Sequence, residues 1–289
     1  MTSLFFLLLC LPSLALSSPP PAPRRPPGVL AQLWPQGLRW RRGPSPSAHL
    51  PRAPSAYFPP PQAGGAMLTK APGTDLGEPL NVILAGTSDP AVLIDTDQNG
   101  GFRNYWLSVN FAAECLGQHQ GDPQQADLGD GRGFVNESGL LRYDYLNQEI
   151  GTCEETVQGG NHFRYFMQDG AGANTSAVFL ATSYELPIAE QHNIVVNGYN
   201  LGRDRLVGNI TGTPVDTLAV TNASTFAGTT SNGGYTYATT ISYVSGLLAN
   251  SSAGVNHGDT VGIGGETAVD GLVAVLEVKI TAAPKGANA

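Results

Sequence analysis

Two imidazoles and a guanidinium stand out among the side chains here that could do chemistry: His162 and Arg164, one residue apart, and His192 further along. Histidine suits proton transfer or metal ligation, and arginine suits the clamping of an anion. His162-Phe-Arg-Tyr-Phe-Met-Gln168 alternates in hydropathy, which predicts a strand. On it His162, Arg164 and Phe166 share one face, and Phe163, Tyr165 and Met167 the other. The imidazole and guanidinium are then about 7 Å apart. The neighbouring positive charge lowers the imidazole pKa and favours a neutral base. A guanidinium is almost never buried unpaired, so a carboxylate is needed as well. Glu155, Glu185 and Asp204 are the candidates. The catalytic set this suggests is His162, Arg164, His192 and Asp204, with either histidine as base or metal ligand. The plainer alternative is an ion pair between Arg164 and Asp204 that ties a hairpin to a helix, with His162 hydrogen-bonded beside it. Neither Gly-x-Ser-x-Gly nor His-Glu-x-x-His occurs.

Oxygen ligands gather at Asp95-Thr-Asp97-Gln-Asn99-Gly100, which matches the first half of a calcium loop. The twelfth position of such a loop, where a bidentate Glu belongs, is Trp106. Asp95, Asp97 and Asn99 are thus candidate calcium ligands, and a polar turn feeding a helix is the alternative. His119 and Asp122 offer a second pair of metal-ligating types within a Gly- and Asp-rich loop. Gly86-Thr-Ser-Asp-Pro90 lacks the repeated glycines and the Lys-Ser/Thr that cradle phosphate. No cofactor is demanded; calcium at the loop or zinc at the histidines are the metals these residue types admit.

The elements that must position these groups follow from pattern. Leu80–Ala85 reads as a buried strand, and residues 102–113 as a helix with Phe102, Tyr105, Trp106, Val109 and Ala113 on one face. Leu140–Leu146 reads as a short helix carrying Arg142 and Asp144. The strand at 162–168 and a second at 177–184 form a hairpin. His192–Asn197 follows as a strand and Gly202–Val207 as a short helix. From Thr217 the chain is β-rich, with strands at 218–220, 235–243 and 272–280. The class expected is α+β: a mixed, largely antiparallel sheet with a few short helices.

Residues 4–16 are an apolar run of 13, followed by small residues around Ala15-Leu16-Ser17. This predicts a signal peptide over 1–17, too short to span a bilayer. Residues 18–73 are Pro- and Arg-rich without period and predict a disordered linker; 74–289 predict one folded domain, with a motif-bearing core at 78–210 and a β-rich part at 211–282. Cys10 leaves with the signal, so Cys115 and Cys153 are expected to form a disulfide in an oxidising compartment. Sequons at Asn136, Asn174, Asn209, Asn222 and Asn250 predict a glycoprotein with those turns exposed. The net charge of −8 divides into +7 over residues 19–73 and −15 over 74–289. An acidic folded part argues against nucleic acid or an anionic membrane as partner.

Several short segments carry a resemblance: Leu80-Asn-Val-Ile83, Glu114-Cys-Leu-Gly117, Gly121-Asp-Pro-Gln124, Leu128-Gly-Asp-Gly131, Gly151-Thr-Cys-Glu154, Gly159-Gly-Asn-His-Phe-Arg164 and Gly198-Tyr-Asn-Leu-Gly-Arg-Asp204. Together, over about residues 78–210, they resemble a group of uncharacterised secreted fungal proteins. A more distant likeness is to the C-terminal domain of LssY-type bacterial proteins. It runs through His162-Phe-Arg164, Val178-Phe-Leu-Ala-Thr-Ser183, His192-Asn-Ile194 and Arg203-Asp204. That domain usually has paired histidines where this chain has Asn161-His162 and His192-Asn193. The expectation overall is an extracellular glycoprotein domain that binds a small-molecule or cell-surface ligand. A secreted hydrolase-like enzyme, with or without a metal's assistance, is the alternative.

Overall fold

The computed structural model describes residues 55–286 apart from 120, 263, 264 and 266; the expected signal peptide and the linker up to residue 54 lie outside the described residues. In chain order the elements are β1 (Leu80–Leu84), α1 (Phe102–Leu107), β2 (Phe111–Ala113), β3 (Gln125–Asp127), β4 (Phe134–Asn136), β5 (Gly139–Tyr143) and α2 (Gly151–Gln158). Then come β6 (Asn161–Met167), β7 (Val178–Tyr184), α3 (Gly198–Thr211), β8 (Thr225–Asn232), β9 (Tyr235–Ser251), α4 (Gly258–Val261) and β10 (Val269–Ala282). Eight strands form one sheet in the order β2-β5-β6-β7-β1-β10-β9-β8, and β3 pairs with β4 apart from it. Only β1 and β10 run parallel in the large sheet; its other neighbours are antiparallel. This is the α+β class expected. Because β10 pairs with β1, the C-terminal β-rich part completes the same sheet as the motif-bearing core.

The central strands are apolar throughout because both faces of the sheet are covered. Val178 and Leu180 of β7 join a cluster with Val82 and Leu84 of β1, roofed by Phe102, Tyr105 and Trp106 of α1 and Leu206, Val207 and Ile210 of α3. Phe179 and Ala181, one residue out of phase, join a second cluster with Leu80, Ile83, Phe166, Met67 and Val255. Met67 and its neighbour Tyr57 fall in the stretch expected to be linker. Tyr57 packs edge-on to Phe179, and Lys70 bridges to Gln125. The folded part therefore reaches back to Ser55 rather than beginning at Thr74.

Four local expectations change. The helix over 102–113 stops at Leu107; Asn110 turns left-handed (φ 65°), and Phe111–Ala113 becomes an edge strand on β5. Residues 140–146 are not a helix: Leu140, Leu141 and Arg142 lie in β5, between β2 and β6. All three are buried, so the strand lacks the alternation that would mark it. His192–Asn197 makes only an isolated bridge, Ile194 with Glu185, and Leu218 sits in an exposed turn. By contrast, β6, β7 and β10 lie where the pattern puts them. β8 was unmarked, although Asn232-Gly-Gly-Tyr235 between β8 and β9 is a two-residue hairpin turn with both glycines at positive φ.

The Cys115–Cys153 disulfide is present and ties α2 to the turn after β2. Asn136, Asn174, Asn222 and Asn250 are exposed, as the sequons require; Asn209 departs from this, half-buried on α3.

Candidate functional site

Strand register builds the site. Arg142 of β5 stands beside His162 of β6, and His162 stands beside Ser183 of β7. Adjacent antiparallel strands hold such neighbours about 5 Å apart on one face, so the three form a polar row. Two carboxylates close over it. Glu155 comes from α2, and Glu185 follows β7 directly. The approach of α2 depends on Gly160, where a Cβ would stand 2.7 Å from Glu155 Cγ. His192 arrives from the loop after β7, on two successive left-handed residues, Gln191 (φ 62°) and His192 (φ 53°).

Arg142 Nη1 donates to Glu155 Oε2 at 2.8 Å and lies 3.4 Å from Glu185 Oε2. Ser183 Oγ is 3.1 Å from His162 Nε2, and Glu185 Oε1 is 3.6 Å from the same nitrogen. His162 Nδ1 faces Glu155 Oε1 at 3.9 Å, and His192 Nδ1 is 3.4 Å from Glu185 Oε2. The side chain of Glu155 is 0% exposed and that of His162 2%. Despite this crowding, Glu155 Oε1, His162 Nδ1 and both ring nitrogens of His192 have no hydrogen-bond partner.

Burial drives the electrostatics. It holds the His162 imidazole well below the usual histidine range, with help from Arg142, Arg164 and His192. It also lowers His192, together with Arg142. Burial pushes Glu185 up to about 8 against the pull of Arg142, and the Glu155 and Glu78 charges add to the rise. Glu155 rises by burial too, opposed by Arg142. Arg142 is itself held more firmly charged: Glu155 and Glu185 outweigh the effect of burial. One guanidinium thus serves two buried carboxylates beside two neutral imidazoles. Among the described residues, Glu155, His162 and Glu185 are the three that each offer a ligand atom within 4.8 Å of the others.

The expected catalytic set comes apart. His162 and His192 do meet, through Glu185. Arg164 instead gives Nη1 to both oxygens of Glu137, at 2.8 and 2.9 Å, so it pairs neither with Asp204 nor with an anion site at His162. Asp204 belongs to another buried network: Arg203 grips it through two nitrogens, at 2.7 and 2.9 Å, and Tyr243 Oη donates to it at 2.6 Å. The same guanidinium grips Asp270 of β10, which anchors α3 to the sheet. His119 is held by Glu114 at 2.8 Å, and Asp122 is exposed. In the calcium-like loop, Asp95 is taken by Arg103, at 2.6 Å from Nε, and by the Tyr165 hydroxyl at 2.9 Å. An internal cation occupies the place that loop offered to calcium.

A cleft lies on the opposite face of the same strand ends. Tyr143 and Asn161 are one residue out of phase with Arg142 and His162, and Asn161 is registered with Tyr184. With Tyr145, Arg205 and the segment after α3 they line an open cleft of about 910 Å³. The Arg205 guanidinium stacks 4.1 Å from the Tyr184 ring. Asn161 is 3% exposed; its Nδ2 donates to the Gly202 carbonyl at 3.0 Å, and its Oδ1 has no partner. This cleft escapes sequence reasoning, although its signal is the other phase of the alternation that marks His162 and Arg164. No family model, curated protein or solved structure matches the chain.

Proposed function

We propose that this chain is an extracellular binding domain whose ligand is a saccharide held in the tyrosine cleft. The observation that carries this is Asn161, a residue of the cleft wall whose buried Oδ1 has no partner, in a cleft that Tyr143, Tyr145 and Tyr184 also line. Such an acceptor calls for a hydroxyl or N–H donor from the ligand. Tyrosines provide broad apolar faces with polar tips, and Asn110, Asn209 and Arg205 add polar groups around the rim. A ligand with alternating hydroxyl and C–H faces uses both. The disulfide and the four exposed sequons support an extracellular setting. So does the acidic balance, which leaves nucleic acid an unsuitable partner. Among the described residues no helix is long and apolar enough to cross a membrane.

The test is a glycan array followed by calorimetry on the purified protein. Binding should fall at least ten-fold on Tyr184→Ala and on Asn161→Ala, with His162→Gln close to wild type. An array without hits, or binding that Tyr184→Ala leaves unchanged, would reject the reading.

A further inference from the structure

The buried row on the other face remains without a task, and its geometry is not that of a finished ion-pair network. A satisfied network leaves no buried polar atom idle. Here Glu155 Oε1 and His162 Nδ1 face each other at 3.9 Å with no hydrogen bond, and His192 leaves both nitrogens idle beside Glu185. We propose that Glu155, His162, Glu185 and His192 bind one divalent transition-metal ion, of which zinc is the type.

Distances support this first. Zinc holds nitrogen and carboxylate oxygen at about 2.0–2.2 Å, so two ligands of one ion lie within about 4.4 Å of each other. The 3.9 Å between Glu155 Oε1 and His162 Nδ1 fits that limit, and the 4.8 Å bound on the group Glu155, His162 and Glu185 exceeds it by only a few tenths of an ångström; His192 is outside that group and reaches it through Glu185, whose Oε2 is 3.4 Å from its Nδ1. Donor type comes next. Two imidazoles with two carboxylates suit zinc, manganese or iron; calcium and magnesium prefer oxygen alone.

The surrounding groups take the roles that a metal's second layer requires. Arg142 engages Glu155 Oε2 and leaves Oε1 free to ligate. Ser183 engages His162 Nε2, and an Nε2 proton directed at that hydroxyl leaves Nδ1 with a free lone pair. Arg142 touches Glu155 Oε2 and Glu185 Oε2, and leaves the two oxygens that face His162, Glu155 Oε1 and Glu185 Oε1, free to ligate. The path of entry is the His192 side, where the side chains of His192 and Glu185 are 23% and 13% exposed. An ion there would clamp α2 and the His192 loop onto the sheet.

The experiment uses the full secreted chain, stripped with chelator and dialysed. Zinc, manganese and calcium are added singly and followed by calorimetry, thermal shift and elemental analysis. The expected result is about one zinc or manganese ion per chain, a melting temperature raised by that ion and not by calcium, and a lower one after chelation. Glu155→Gln, which keeps the shape, and His192→Ala, at the exposed end, should each weaken binding at least ten-fold. Where Glu155→Gln fails to fold by circular dichroism, His192→Ala decides. The proposal is overturned if the stripped protein takes up no ion and shows no thermal shift, or if ion binding survives undiminished in the variants that fold.

Discussion

Arg142 carries the positive charge of the histidine–glutamate cluster. It pairs with Glu155 at 2.8 Å and lies 3.4 Å from Glu185, with only 8% of its side chain exposed. Removing one partner of a buried pair leaves an uncompensated charge, which costs about 3–5 kcal/mol. Arg142→Ala should lower the unfolding free energy by that amount in urea denaturation, and a loss below about 1 kcal/mol would refute its central place. The pH dependence of the metal-free protein follows from the same cluster. Glu185, raised to about 8, holds a proton in the folded state that the unfolded chain has released above its ordinary value of 4.5, so stability falls as pH rises towards 8. Glu155 acts in the same direction. His162 acts in the opposite one: it stays neutral when folded, while the unfolded histidine takes up a proton below about 6.5, so stability falls as pH drops through that value. Above pH 6.5 the carboxylates act alone, so stability should decline from pH 6.5 to 8; below 6.5 the gain from Glu185 and Glu155 opposes the loss from His162 and the curve should flatten, as thermal melts across pH 5–8 would show. A rise in stability from pH 6.5 to 8 would contradict the burial of Glu185. The His162–Arg164 pairing was legible because strand phase places both on one face. Their partners were not: Glu137 and Glu155 lie apart from Arg164 and Arg142 in sequence, and the register of β5 against β6 brings the first pair together while the packing of α2 on β5 brings the second.

α2 is the element on which the cluster depends. It carries Glu155 two residues after Cys153, so the disulfide to Cys115 fixes the carboxylate as well as the helix. Closing a loop of 38 residues stabilises the fold by about 4 kcal/mol in the chain-entropy model. Reduction, or Cys115→Ser with Cys153→Ser, should cost close to that. It should also release the α2 amides to hydrogen exchange before those of β6. Equal exchange in the two elements would show that the bond does not hold α2 locally. Gly160→Ala is a finer probe, since its Cβ would press on Glu155 at 2.7 Å. Overpacking of this kind costs about 1–3 kcal/mol, and a neutral effect in denaturation would mean that α2 moves freely. α2 itself was not legible in advance: Gly151-Thr-Cys-Glu-Glu-Thr-Val-Gln158 has little apolar periodicity, and contacts and a covalent bond hold it in place.

The described residues build one large sheet between two cores, closed by strands from distant parts of the chain, with the β3–β4 pair apart from it. The segment before β1 is part of the fold, with Met67 and Ala71 buried and Thr69 donating to Gln124 at 2.6 Å. A chain starting at Thr74 should therefore melt roughly 10 °C below one starting at Ser55, at about 2–4 °C per kcal/mol for several lost kcal/mol. Equal melting temperatures would restore that stretch to linker. By itself the sequence determined the class of fold, strands at 80–85, 162–168 and 272–280, the cysteine pair and the acidic balance of the folded part. Each of these rests on local composition or on a periodicity that a few residues reveal. Tertiary structure alone decided that residues 55–73 pack, that 140–143 is a strand, that Arg164 pairs with Glu137 and Asp204 with Arg203, and that a tyrosine cleft and a histidine–glutamate cluster lie back to back across β5–β7. The physical reason is burial on both faces. It erases the alternation that marks a half-exposed strand, and it makes each charge choose its partner by proximity in space.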